Sequence, residues 1–140
     1  MEFSSRNDNM IRQHRFGARS EYRRQESQRV RDSATLAETF RNLKSLTVNL
    51  EYFDPTGVRR TSHIKYEVNL KNGKAVFRFD CPNPECIRGD FDLSEELARA
   101  VAAHRTTGHG ELVCKGWRSK TTINSVRCQQ ILRYKFRLGY

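Results

Sequence analysis

The stretch Phe79-Asp80-Cys81-Pro82-Asn83-Pro84-Glu85-Cys86 decides how this chain folds. Ala75, Phe77 and Phe79 fall at every second position, on one face of a predicted β-strand, and the strand runs straight into two cysteines. Pro82 and Pro84 fix φ at values a tight turn needs and remove backbone donors, so the loop is stiff and bends back on itself. Such a turn aims two thiolates at one point, which is half of a tetrahedral metal site. The other half must come from elsewhere, and the remaining cysteines are Cys114 and Cys128.

A chain of 140 residues with 36% hydrophobic content and a mean hydropathy of −0.80 has little apolar material for a core. A small polar domain of this kind gains from a metal ion or disulfides. Residues 1–20 hold no uninterrupted apolar run, so neither a signal peptide nor a membrane span is expected. A cytoplasmic setting would keep the cysteines reduced, which favours bound zinc over disulfides.

The formal charge is +10, and it is unevenly spread. Residues 1–42 hold nine arginines, no lysine and six acids, and residues 43–111 balance ten bases against ten acids. Residues 112–140 carry seven bases and no acid. A positive excess at both ends of a neutral middle points to an anionic partner.

Residues 1–32 read as an Arg-rich arm, disordered or helical only on a partner, because no 3.6-residue apolar stripe is sustained. Its Arg12, Arg15, Arg19, Arg23 and Arg24 suit phosphate, since a guanidinium fork grips two oxygens at once. Asp32 or Ser33 would cap a short helix bearing Leu36, Ala37, Phe40 and Leu43. Leu46, Val48, Leu50 and Tyr52 alternate with polar residues as a strand, closed by a turn at Asp54-Pro55-Thr56-Gly57. Ile64, Tyr66, Val68 and Leu70 predict a second strand. Asn72-Gly73 then predicts a hairpin that pairs Leu70 with Ala75, Val68 with Phe77, and Tyr66 with Phe79. Asp92-Leu93-Ser94-Glu95 reads as a capping box for a helix carrying Leu93, Leu97, Ala100, Val101 and His104, with Gly108 as its stop. Glu111 to Cys114 is a short strand. The last strand sets Leu132, Tyr134, Phe136 and Leu138 on one face and Arg133, Lys135 and Arg137 on the other.

The fold class is therefore α+β: a small antiparallel β-sheet with one helix over residues 33–140, organised by a structural zinc site and preceded by a flexible arm over 1–32. Cys81, Cys86, Cys114 and Cys128 each adjoin a predicted strand, and in this the body resembles a zinc ribbon. The resemblance implies four thiolates closing the site, with no open position for catalysis. The C-x4-C pair is a usual knuckle. The C-x13-C pair requires the Trp117 loop to leave the site and return. A rival set stays open. Phe79, Cys81, Cys86, Phe91, Leu97, His104 and His109 resemble a two-Cys two-His finger, but with one extra helical turn before His104, and that set leaves Cys114 and Cys128 idle. Three cysteines with His104 form a further alternative.

No H-x-E zinc-deaminase motif, H-E-x-x-H, Gly-rich phosphate loop or G-x-S-x-G is present, so no catalytic residue is assigned and no small-molecule substrate is expected. The expected function is a zinc-stabilised module for nucleic acid or a ribonucleoprotein, with RNA before duplex DNA because no recognition helix is apparent. Its contacts would be the arm arginines together with Lys115, Trp117, Arg118, Lys120, Arg127, Arg133, Lys135 and Arg137. The alternative is a structural subunit or adaptor docking on an acidic protein surface; anionic lipid is a weaker third.

Overall fold

The period-two run from Leu46 to Tyr52 builds β1 (Ser45–Phe53), whose apolar side is wholly buried. The computed structural model describes residues 20–120 and 125–140. β8 (Ile131–Gly139) carries the matching pattern and lies antiparallel to β1 along its whole length, from Ser45 opposite Gly139 to Phe53 opposite Ile131. β2 (Arg60–Glu67) and β5 (Thr107–Val113) form the edges of a four-stranded antiparallel sheet in the order β2-β1-β8-β5.

One face of this sheet is the core. Leu46, Val48, Leu50, Leu132, Phe136 and Leu138 pack there against Leu36, Phe77, Phe91, Leu93, Leu97 and Val101. Each buried leucine contributes roughly 2 kcal/mol of hydrophobic stabilisation. The roof comprises α2 (Leu36–Thr39), α3 (Ser94–Ala102) and a two-stranded pair of β3 (Arg78–Asp80) with β4 (Asp90–Asp92). A second two-stranded pair, β6 (Trp117–Lys120) with β7 (Ser125–Arg127), projects from the end of the sheet.

The hairpin expected at Asn72-Gly73 does not form. β2 pairs with β1 through the Asp54–Gly57 turn, where Gly57 N–H donates to Asp54 O at 2.9 Å and Gly57 takes φ +75°. Gly73 has no positive φ, which a type I′ turn requires. Its carbonyl instead accepts from Leu36 N–H at 2.8 Å, and Leu70 O accepts from Ala37 N–H at 2.9 Å. The backbone between β2 and β3 is thus used to seat α2, and Ile64 and Tyr66 remain exposed at the sheet edge.

Two helix starts also shift. Thr35, not Asp32 or Ser33, caps α2 by accepting from Glu38 N–H. Asp92 accepts from Ser94 N–H at 3.0 Å and Ser94 Oγ at 2.6 Å, so it fixes the turn before α3 rather than capping it. α3 ends at Ala102, and Gly108 lies inside β5. There the narrow Gly108 and Gly110 face inward, and a Cβ on Gly110 would meet the Tyr134 hydroxyl at 2.4 Å.

Residues 20–32 are helical (α1) and lie along β3 and β4. Arg29 pairs with Asp92 at 3.3 Å, Arg23 with Asp80 at 3.9 Å, and Glu26 with Arg78 at 3.5 Å. Tyr22 adds a hydrogen bond to Asp90, and burial with the Asp90 and Glu26 charges pushes its phenol up to about 12. Positions 22, 23, 26 and 29 share one helical face, so a segment without an apolar stripe docks by polar contacts. Among the described residues no helix is long and apolar enough to cross a membrane.

Candidate metal centre

Cys81 directly follows β3, Cys114 directly follows β5 and Cys128 directly follows β7. Cys86 is brought back to them by the proline loop, with Cys86 N–H donating to Asn83 O at 3.1 Å. All four side chains are buried, and their sulfurs lie within 4.8 Å of one another. Cys81 Sγ is 3.7 Å from Cys128 Sγ, and Cys86 Sγ is 3.6 Å from Cys114 Sγ. Four sulfurs at about 2.3 Å from a tetrahedral zinc stand about 3.8 Å apart, so the spacing fits a four-thiolate centre. A disulfide needs sulfurs at about 2.0 Å, and all four cysteines are free.

The surroundings fit thiolates as well. Gly116 N–H donates to Cys114 Sγ at 3.4 Å, and Asn83 Nδ2 donates to Cys128 Sγ at 3.5 Å. A Cβ on Gly89 would fall 2.1 Å from Cys86 Sγ and 2.6 Å from Cys114 Sγ, and one on Gly116 would fall 2.6 Å from Cys86 Sγ. Both glycines are required for the sulfurs to converge. Hydrogen bonds from Cys114, Cys81 and Cys86 pull the Cys128 thiol far below its ordinary value, while those involving Cys114 and Cys128 push Cys81 and Cys86 up. The hydrogen bond with Cys128 opposes ionisation of Cys114, but those with Cys81 and Cys86 outweigh it, so Cys114 is also held below its ordinary value.

The wide Cys114 to Cys128 interval has the explanation its length demanded. β6 leaves the centre and β7 returns to it, with Trp117 opposite Arg127 at the base. Cys114 N–H donates to Gln130 O at 2.7 Å and Cys128 N–H donates to Gly116 O at 2.9 Å, closing the excursion. The histidines of the rival sets stand apart from the cluster. His104 stacks on Tyr140 with ring centroids 3.9 Å apart, and His109 is exposed on β5.

The expected phosphate contacts are dispersed. Arg12, Arg15, Arg19 and the Lys120 side chain lie outside the described residues. Arg23 donates to Cys81 O at 3.4 Å and Arg24 is exposed. Lys115 and Arg118 are exposed beside the centre, and Arg127 lies over the half-buried Trp117 ring at 3.7 Å while donating to Lys115 O. Arg133 pairs with Glu111 at 2.9 Å and covers the Phe53 ring at 4.3 Å. Lys135 and Arg137 face Asn49, His109, Thr47 and Thr107 across the sheet, and none of those four is acidic. Sequence reading missed Lys65, Asn49, Thr47 and Thr107 beside them. The signal that places Lys65, Asn49 and Thr47 was the alternation of β1 and β2, which becomes readable once those strands are paired correctly, and Thr107 joins them through the pairing of β5 with β8.

Fold and centre together define a small α+β protein whose four clustered, buried cysteines could hold a metal ion. Compared with protein-family models, curated proteins and solved structures, the chain finds no match in any of the three.

Proposed function

We propose that Cys81, Cys86, Cys114 and Cys128 hold zinc as a closed structural centre, and that the protein is a non-catalytic binding module for nucleic acid or a ribonucleoprotein, RNA before DNA. The all-sulfur donor set and its burial support zinc in a structural role, in a reducing compartment such as the cytoplasm. When bound, the ion supplies a cross-link between β3, β5 and β7 rather than a reactive water.

The observation that carries the binding reading is the run of seven bases without an acid over residues 112–140. Of these, Lys135 and Arg137 make no ion pair among the described residues, so their charge is available to a partner. α3 begins with Glu95 and Glu96 and is unsuited to a DNA groove, which favours RNA. The test is a salt titration of single-stranded RNA binding by the full chain. Log affinity should fall linearly with log salt, by about 0.7 per phosphate contacted. Failure to bind any oligonucleotide at low salt, with tight binding to an acidic protein, would make the chain an adaptor instead.

A further inference from the structure

We infer that the open face of the four-stranded sheet seats the sugar–phosphate backbone of a single nucleic-acid strand, gripping phosphates and not bases. The inference rests on the nucleic-acid reading above and deepens it by naming the surface and the part of the ligand it holds.

Lys65, Asn49 and Lys135 stand in one row across β2, β1 and β8, and Thr47, Arg137 and Thr107 stand in the next row across β1, β8 and β5. All six line one depression of about 250 Å³. Three are cations, two are hydroxyl donors, and Asn49 is oriented: its Oδ1 is held by His63 Nε2, which leaves the amide NH2 as the free donor. Among the described residues no carboxylate lines the depression. Of the acids on this face, Glu111 is paired with Arg133 and Glu51 with Arg60, while Glu67 ends the second row on β2, opposite Thr47, at the rim of the depression and outside its lining. Three cations and fixed neutral donors facing one hollow match a chain of phosphodiesters.

The shape selects a single strand. Among the described residues no helix or ribbon rises from the face itself to enter a duplex groove; the β6–β7 ribbon leaves from the end of the sheet, away from the rows of Lys65 and Arg137. Lys135 and Arg137 are two residues apart on β8, about 7 Å, a spacing suited to successive phosphates of an extended strand. Among the described residues no Tyr or Trp ring lines the depression, the Phe136 ring is buried in the core, and the Phe53 ring further along the face is covered by Arg133. The exposed ring there is the small imidazole of His109 beside Lys135. Affinity should therefore come chiefly from phosphates and depend little on base identity.

The test uses the full-length protein, purified under reducing conditions, with labelled single-stranded U-rich and A-rich RNA, a duplex of equal length, tripolyphosphate and polyglutamate as probes. Lys65→Ala, Lys135→Ala and Arg137→Ala should each weaken single-strand binding several-fold and lower the salt slope by about 0.7. Arg99→Ala, on α3, should change neither. The two RNAs should bind alike. The substituted side chains lie outside the core, and a dispersed amide NMR spectrum confirms that each variant is folded. If RNA binds but all three variants match the wild type, the groove assignment is wrong while the nucleic-acid reading stands. If duplex, tripolyphosphate or polyglutamate binds more tightly than the single strand, the ligand is misassigned. If no oligonucleotide binds the wild type, both readings fall.

Discussion

Ile87 and Trp117 exchange both of their backbone hydrogen bonds, Ile87 N–H to Trp117 O at 2.7 Å and Trp117 N–H to Ile87 O at 2.9 Å. This bridge joins the loop that carries Cys81 and Cys86 to the loop that follows Cys114. Between them lie Gly89 and Gly116, with Gly89 Cα only 2.6 Å from where a Gly116 Cβ would stand. Gly89→Ala should therefore separate the sulfurs, lowering metal content and destabilising the fold by about 3 kcal/mol or more, the upper end for single substitutions. Metal analysis beside a denaturant titration checks this, and an unchanged variant would mean that the two loops yield more easily than their spacing implies.

Backbone strain also gathers at the centre. Arg88 has φ +55° and Gln129 has φ +56°, a left-handed region costly for side chains with a Cβ. Each residue adjoins a knuckle. Gln129→Gly relieves that strain but loosens the unfolded chain, so it should leave stability unchanged or raise it by up to about 1 kcal/mol, with the metal retained. Gln129→Val should lower it.

Arg78 is the buried cation of the roof. Its side chain is 5% exposed, 2.8 Å from Asp80, 2.9 Å from Asp90 and 3.5 Å from Glu26. Removing it leaves carboxylates facing one another without a counter-charge. Arg78→Ala should cost on the order of 3 kcal/mol in chemical denaturation. It should also release α1, seen as faster hydrogen exchange over residues 20–32.

Burial alone would raise the Asp92 carboxyl, but Ser94 Oγ, Ser94 N–H and Arg29 outweigh it and hold the group below its usual 3.8. A carboxyl depressed in the folded state adds stability that is complete above its unfolded value and lost as pH falls through the folded one. Below about pH 4 the contacts of α1 and of the α3 start should weaken. Asp92→Asn should flatten that part of the profile. Measuring α1 exchange against pH in both proteins separates this loss from acid release of a metal.

Much of this molecule is legible residue by residue. β1 and β8 follow from alternation alone, because strands with one wet face bury every second side chain. The cysteines declare themselves by adjoining strand ends, and the hairpin between Trp117 and Arg127 accounts for their spacing. What misleads is Asn72-Gly73, a strong local turn signal. The nine-residue β1 offers β2 a longer ladder than Ala75 to Phe79 could, and non-local pairing outweighs local propensity. The docking of α1 was illegible for another reason: Arg23, Glu26 and Arg29 bind through charges whose partners lie about 60 residues away, and no period in the sequence encodes that.

His104→Ala should forfeit the stacking on Tyr140, about 1 kcal/mol, and leave metal content unchanged. The corresponding change at Cys81 should abolish it.

The most direct measurement is the metal content of the purified, reduced full-length chain by elemental mass spectrometry, followed by chelator titration under circular dichroism. One zinc per chain, with cooperative loss of the sheet signal on its removal, is the predicted result. A metal-free protein that is fully folded with all four thiols titratable would contradict the account.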